Sequence, residues 1–64
     1  MNLSPKVLVD LAKENGWVLR RISGSHHIYK NVKTGISVSI PIHGNKDLKL
    51  GTFIAIEKTI ISNS

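Results

Sequence analysis

The sequence predicts an α+β domain in the order helix, three-stranded antiparallel sheet, helix, and three observations carry that prediction. Residues 36–40 alternate Ile36, Val38 and Ile40 with Ser37 and Ser39, the period-two pattern of a strand with one buried and one wet face. The turns at Ser23-Gly24-Ser25 and Lys33-Thr34-Gly35 are of hairpin length, which joins antiparallel neighbours and cannot join parallel ones. Apolar residues recur at helical spacing before the first strand and after the last, so both ends of the chain offer cover for one sheet face. The same order of elements occurs in double-stranded-RNA-binding domains, although architecture alone assigns no function.

The first helix is predicted over residues 5–15. Ser4 suits the cap of free backbone N–H groups, and Pro5, with its fixed φ and no N–H of its own, suits the first helical position. Val7, Leu8, Leu11 and Ala12 form one apolar stripe, with Lys6, Asp10, Lys13 and Glu14 largely opposite, and Gly16 is placed to end the helix.

Residues 17–23, WVLRRIS, are rich in strand formers and hold no breaker, which makes them the first strand. Regular alternation there sends Arg20 and Arg21 to opposite faces, so that one of them shares the surface of a functional site. The second strand is predicted over residues 26–32 and the third over residues 36–40, where Pro41 ends the pairing. His27 and Tyr29 share one face of the second strand and His26 and Ile28 the other. Which face is inward stays open at this level, because each carries one apolar or aromatic group and one histidine.

A turn-rich connector bearing His43, Lys46 and Lys49 leads to a last helix over residues 50–61. Leu50, Phe53, Ile54, Ile60 and Ile61 make its apolar face, with Ile56 near the edge. Isoleucine and threonine are poor helix formers, which keeps a strand in view, but the run exceeds an ordinary strand and the sheet needs apolar cover. Residues 62–64 are expected to form a frayed tail. With no repeat, linker or low-complexity stretch, residues 1–64 read as one domain.

A chain of 64 residues buries only about 60% of the surface that its unfolded form exposes, so its stability is marginal and a deep substrate cavity is excluded. It has no cysteine, hence no disulfide and no thiolate metal site, in keeping with a reducing cytoplasm. Nothing approaches the roughly 20 consecutive apolar residues of a membrane span, and the charged N-terminal stretch lacks the apolar core of a signal peptide. The expectation is a cytoplasmic protein with no membrane contact. Nine Lys and Arg against four Asp and Glu give a net charge of +5. The pI is close to 10.0. Such an excess favours a polyanionic partner, with nucleic acid first.

Chemistry centres on GSHHIYKN, residues 24–31, where a turn hands the backbone to a strand that opens with two histidines. Histidine's ordinary pKa of about 6.5 lets it take and give a proton near neutrality. A metal site is disfavoured, because His26 and His27 point to opposite faces and His43 would have to complete the site without thiolates; no metal or other cofactor is expected. Cleavage of RNA asks for less, since the ribose 2′-OH is a built-in nucleophile that needs a base, cations to stabilise the phosphorane, and an acid for the leaving oxygen. His26 is the candidate for proton transfer. Ser25, Arg20, Arg21, Lys30, His43 and Lys46 are the groups expected to hold RNA around it, an arginine gripping phosphate through two parallel hydrogen bonds.

Four segments, NGW at Asn15–Trp17, GSHHIY at Gly24–Tyr29, IPIH at Ile40–His43 and KDLKLGT at Lys46–Thr52, resemble the HicA toxins of prokaryotic toxin-antitoxin pairs. The resemblance spans nearly the whole chain. It implies a double-stranded-RNA-binding-like fold, ribosome-independent mRNA interferase activity, and a catalytic role for the histidine of Gly-Ser-His, here His26. It also implies a HicB-type antitoxin that covers the active surface and itself binds operator DNA, so no specific DNA binding is expected of the toxin alone. Two departures, Leu50 where the family commonly has proline and Thr59 where it commonly has glutamine, both fall on the last helix. The competing readings are a non-catalytic RNA-binding module and a degenerate toxin that acts only as a protein-interaction domain.

Overall fold

The Ser4 hydroxyl accepts a hydrogen bond from the Lys6 backbone N–H at 3.2 Å, and Pro5 takes the first helical position beside it. In the computed structural model, which describes residues 2–63, this cap opens α1 (Pro5–Glu14). The helix closes at Asn15, whose backbone N–H reaches the carbonyls of Leu11 and Ala12, and Gly16 follows with a φ of +83°. That left-handed conformation, open to glycine without a steric penalty, turns the chain directly into the sheet.

Three strands, β1 (Trp17–Ser23), β2 (His26–Asn31) and β3 (Ser37–Pro41), form an antiparallel meander in the order β1-β2-β3. Gly24, at φ +59°, occupies the first position of the two-residue link between β1 and β2, where a positive φ matches the strand twist. The link between β2 and β3 is built on Asn31: its side-chain oxygen accepts from the backbone N–H groups of Lys33 and Thr34, and its carbonyl accepts from Gly35. These bonds close the turn, so β2 stops one residue before the expected Val32 and β3 starts one after Ile36.

The register resolves the parity that the sequence leaves open. Tyr29 faces Val38 and His27 faces Ile40 across the ladder, and the buried members Tyr29, Asn31, Val38 and Ile40 place that face inward. His26, Ile28 and Lys30 therefore project from the opposite, outer face. In β1 strict alternation fails. Leu19 pairs with Tyr29 and Arg21 with Ile28, leaving Arg20 as an extra, bulged residue. The bulge resets the alternation, and the expectation that Arg20 and Arg21 lie on opposite faces is corrected: both border one outer cavity.

α2 (Leu50–Ser62) and α1 pack together against the inner face, α1 on β1 and β3 and α2 on β3. The core joins Leu8 and Ala12 of α1, Trp17, Tyr29, Val38 and Ile40 of the sheet, and Phe53, Ile56 and Ile60 of α2. Full burial of a side chain such as Leu8, Ile40 or Ile60 contributes about 1.5–3 kcal/mol. The apolar face of α2 is rotated from the one expected: Ile56 sits in the core, while Leu50, Ile54 and Ile61 are partly exposed. Apolar residues surround this helix, so only the facing core decides which of them point inward.

The chain end is likewise more ordered than expected. Ser62 completes α2, and Asn63 donates from its side chain to the Thr59 carbonyl at 2.8 Å while its own carbonyl accepts from the buried Asn31 side chain. Ser64 lies outside the described residues. Among the described residues no helix is long and apolar enough to cross a membrane.

Candidate functional site

The outer face of the sheet is uncovered by helices, and its chemistry follows from the register. His26, the first residue of β2, is exposed there and pairs with Ser23 on one side and Pro41 on the other. The Ser25 carbonyl accepts from Ile42 N–H at 2.7 Å, which carries the β2-β3 pairing one step past His26 and holds the histidine's backbone inside the ladder. Among the described residues its side chain has one partner: His26 Nδ1 lies 3.0 Å from Ser39 Oγ. Ser39 stands between the buried Val38 and Ile40, so its Cα is fixed by packing. The imidazole is exposed yet held by one nitrogen, leaving Nε2 open to a bound molecule.

Next to this pair, Arg20, Arg21, Ile28, Lys30, Ser37 and Ser39 line a shallow cavity of about 490 Å³. Three cations thus gather on the His26 face, two of them through the bulge. The four acidic residues lie elsewhere: Asp10 and Glu14 on α1, Asp47 in the connector and Glu57 on α2. The net charge is therefore unevenly placed, with a sheet face that bears cations and no carboxylate. Such a face suits a phosphodiester chain.

Of the residues expected at the site, His26, Arg20, Arg21 and Lys30 come together on this surface. Ser25 sits half-buried in the adjoining turn and contributes its carbonyl to the ladder. His43 and Lys46 do not join the cavity. They occupy an exposed turn beyond β3, at the His26 end of the sheet, in which Lys46 N–H donates to the His43 carbonyl at 3.1 Å. Ser39 was missing from the expected set. Alternation places it on the wet face, but its pairing with His26 depends on a register that the sequence does not specify.

His27 turns the other way. It lines an inner cavity of about 420 Å³ with Ser4, Val9, Tyr29, Ile42 and Asn45, separated from His26 by the thickness of the sheet. Burial, with a smaller contribution from the Asp10 charge, raises the Tyr29 phenol above its ordinary pKa. Among the described residues no group of three or more His, Asp or Glu side chains is arranged to hold a metal ion.

A search of curated proteins returned no match. The family described as the HicA toxin of bacterial toxin-antitoxin systems, in contrast, matches residues 6–60, from the first turn of α1 to the last turn of α2. The match takes in the bulged strand, the Gly-Ser-His turn and the outer cavity, and family membership implies an antitoxin partner. With most of its length matched and an α+β fold in the expected order, this chain belongs to the HicA toxin family.

Proposed function

We propose that this toxin is an endoribonuclease that cleaves mRNA in the cytoplasm through proton transfer by His26, and that a HicB-type antitoxin silences it by covering the outer sheet face. The observation that carries this reading is the His26 imidazole, exposed, tethered through Nδ1 and set on a cationic surface without carboxylates. Neutral His26 takes the 2′-OH proton at Nε2 as the 2′-oxygen attacks the adjacent phosphorus. The bond from phosphorus to the 5′-oxygen breaks, leaving a 2′,3′-cyclic phosphate and a 5′-hydroxyl whose proton comes from solvent. Arg20, Arg21 and Lys30 hold the RNA backbone near the reacting phosphate and oppose the negative charge that develops on it. Positioned acid-base catalysis contributes typically about 10²- to 10⁴-fold, so the rate is modest.

Purified protein incubated with mRNA tests this directly. New 5′-hydroxyl and cyclic-phosphate ends are expected with the wild type, and none with His26→Ala. Equal cleavage by both proteins removes the role of His26. Salt-sensitive binding without new ends favours the RNA-binding module instead, because phosphate contacts release counterions whether or not a bond is cut.

A further inference from the structure

We infer that Ser39 is the positioning residue of His26, its hydroxyl accepting Nδ1–H so that Nε2 faces the substrate unprotonated; this rests on the proton-transfer role proposed above. The two atoms are 3.0 Å apart. An exposed imidazole on a strand otherwise rotates about two side-chain bonds and exchanges its proton between both nitrogens, and a histidine side chain without a partner prefers the proton on Nε2. That is the wrong tautomer for a base that works through Nε2.

Ser39 corrects both. Its Cα is locked between Val38 and Ile40, which are buried on the inner face, so the hydroxyl is presented from a rigid backbone. A serine oxygen accepts hydrogen bonds through two lone pairs, and its own proton is free to point to solvent from this exposed position. The same acceptor serves both states of the ring. It fixes Nδ1–H while His26 is neutral, and it keeps that bond after Nε2 has taken the substrate proton, so no rearrangement accompanies the transfer. The neighbouring Arg20, Arg21 and Lys30 carry only donors and cannot take this part.

The experiment combines histidine ring-nitrogen NMR with steady-state kinetics of mRNA cleavage for the wild type, Ser39→Ala and Ser39→Thr, with His26→Ala identifying the His26 signals. Neutral His26 is expected as the Nδ1–H tautomer in the wild type and in Ser39→Thr, and largely as the Nε2–H tautomer in Ser39→Ala. The Ser39→Ala protein should show kcat lowered about 3- to 10-fold, the range of one neutral hydrogen bond, with KM unchanged, and Ser39→Thr should restore it. An Nε2–H tautomer in the wild type, or an unchanged tautomer and kcat in Ser39→Ala, overturns the inference. Undiminished cleavage by His26→Ala instead overturns the proposed function, and the tautomer measurement still decides whether Ser39 orients the ring.

Discussion

His26 and Ser39 meet diagonally across two strands: the residue opposite His26 is Pro41 and the residue opposite Ser39 is Ile28, yet the side chains bridge the offset at 3.0 Å. The contact holds only in this register, because a slip of one residue would carry Ser39 to the inner face. What pins the register lies on the other side of the sheet, where Tyr29 faces Val38 and His27 faces Ile40. The core thus sets the geometry of the site from the opposite face of the same two strands.

Ile40 carries much of that burden, being fully buried beside Leu8, Phe53 and Ile60. Ile40→Ala should lower the unfolding free energy by about 2–5 kcal/mol, measured by urea denaturation followed through Trp17 fluorescence. For so small a chain that loss is a large part of the whole. A change below about 1 kcal/mol would mean that Ile40 is not packed as described.

The bulge yields a less obvious prediction. Because Arg20 is the unpaired residue, its deletion leaves Leu19 opposite Tyr29 and Arg21 opposite Ile28, a regular ladder with every inward side chain still inward. The shortened protein should fold with an unchanged core. Deleting Val18 should not be tolerated, since it reverses the face of Trp17. Circular dichroism and urea titration of both deletions check this, and equal loss of structure in the two would rule out the bulge.

RNA binding should register the same cluster. Each arginine that neutralises one phosphate contributes about 0.7 to the slope of log affinity against log salt on single strands. Arg20→Ala and Arg21→Ala should each reduce the slope by about that amount, measured with the cleavage-deficient His26→Ala protein as background. If only one of the two lowers the slope, the arginines do not act on one surface as the cavity implies.

All five elements were legible in the sequence because each rests on local signals: Ser4-Pro5 for α1, the Ile36-Val38-Ile40 alternation for β3, the length of the apolar run for α2. What stayed illegible depends on contacts between elements. Tyr29 and Ile28 are each compatible with burial, and only the helices packed above the sheet choose Tyr29. The bulge at Arg20 leaves no mark in a run of strand formers. On α2 the apolar residues encircle the helix, so Ile56 looked marginal until the core claimed it. His26 stands out from its turn, whereas Ser39 needs the register, and only the course of the connector past β3 shows that His43 and Lys46 do not line the outer cavity.

Asn31 explains the ordered chain end and gives the next prediction. Buried to 2% exposure, it donates to the Asn63 carbonyl and accepts from Lys33 at 2.8 Å and Thr34 at 3.3 Å, tying the β2-β3 turn to the end of α2. Asn31→Ala should destabilise by about 1–3 kcal/mol, because it removes three part-buried hydrogen bonds between its side chain and the backbone. Hydrogen exchange should show the loss concentrated in residues 31–36 and the last turn of α2, and uniform protection across both would argue against the tie.

The final prediction concerns alkaline pH. Burial raises the Tyr29 phenol above its ordinary value of 10.0 in the folded chain, whereas in the unfolded chain it titrates near that value. Between the two values the unfolded chain has released the proton and the folded chain still holds it, so the unfolded state binds fewer protons and stability falls as pH rises. Stability is complete below about pH 10 and lost as the pH climbs through the folded value. Tyr29→Phe should match the wild type near neutrality, since the phenol makes no hydrogen bond among the described residues, and should lose less stability above about pH 10. Tyr29 is the only tyrosine, so its phenolate absorbance reports the titration without interference. Superimposable alkaline unfolding curves for the two proteins would show that the phenol is not buried in the core as described.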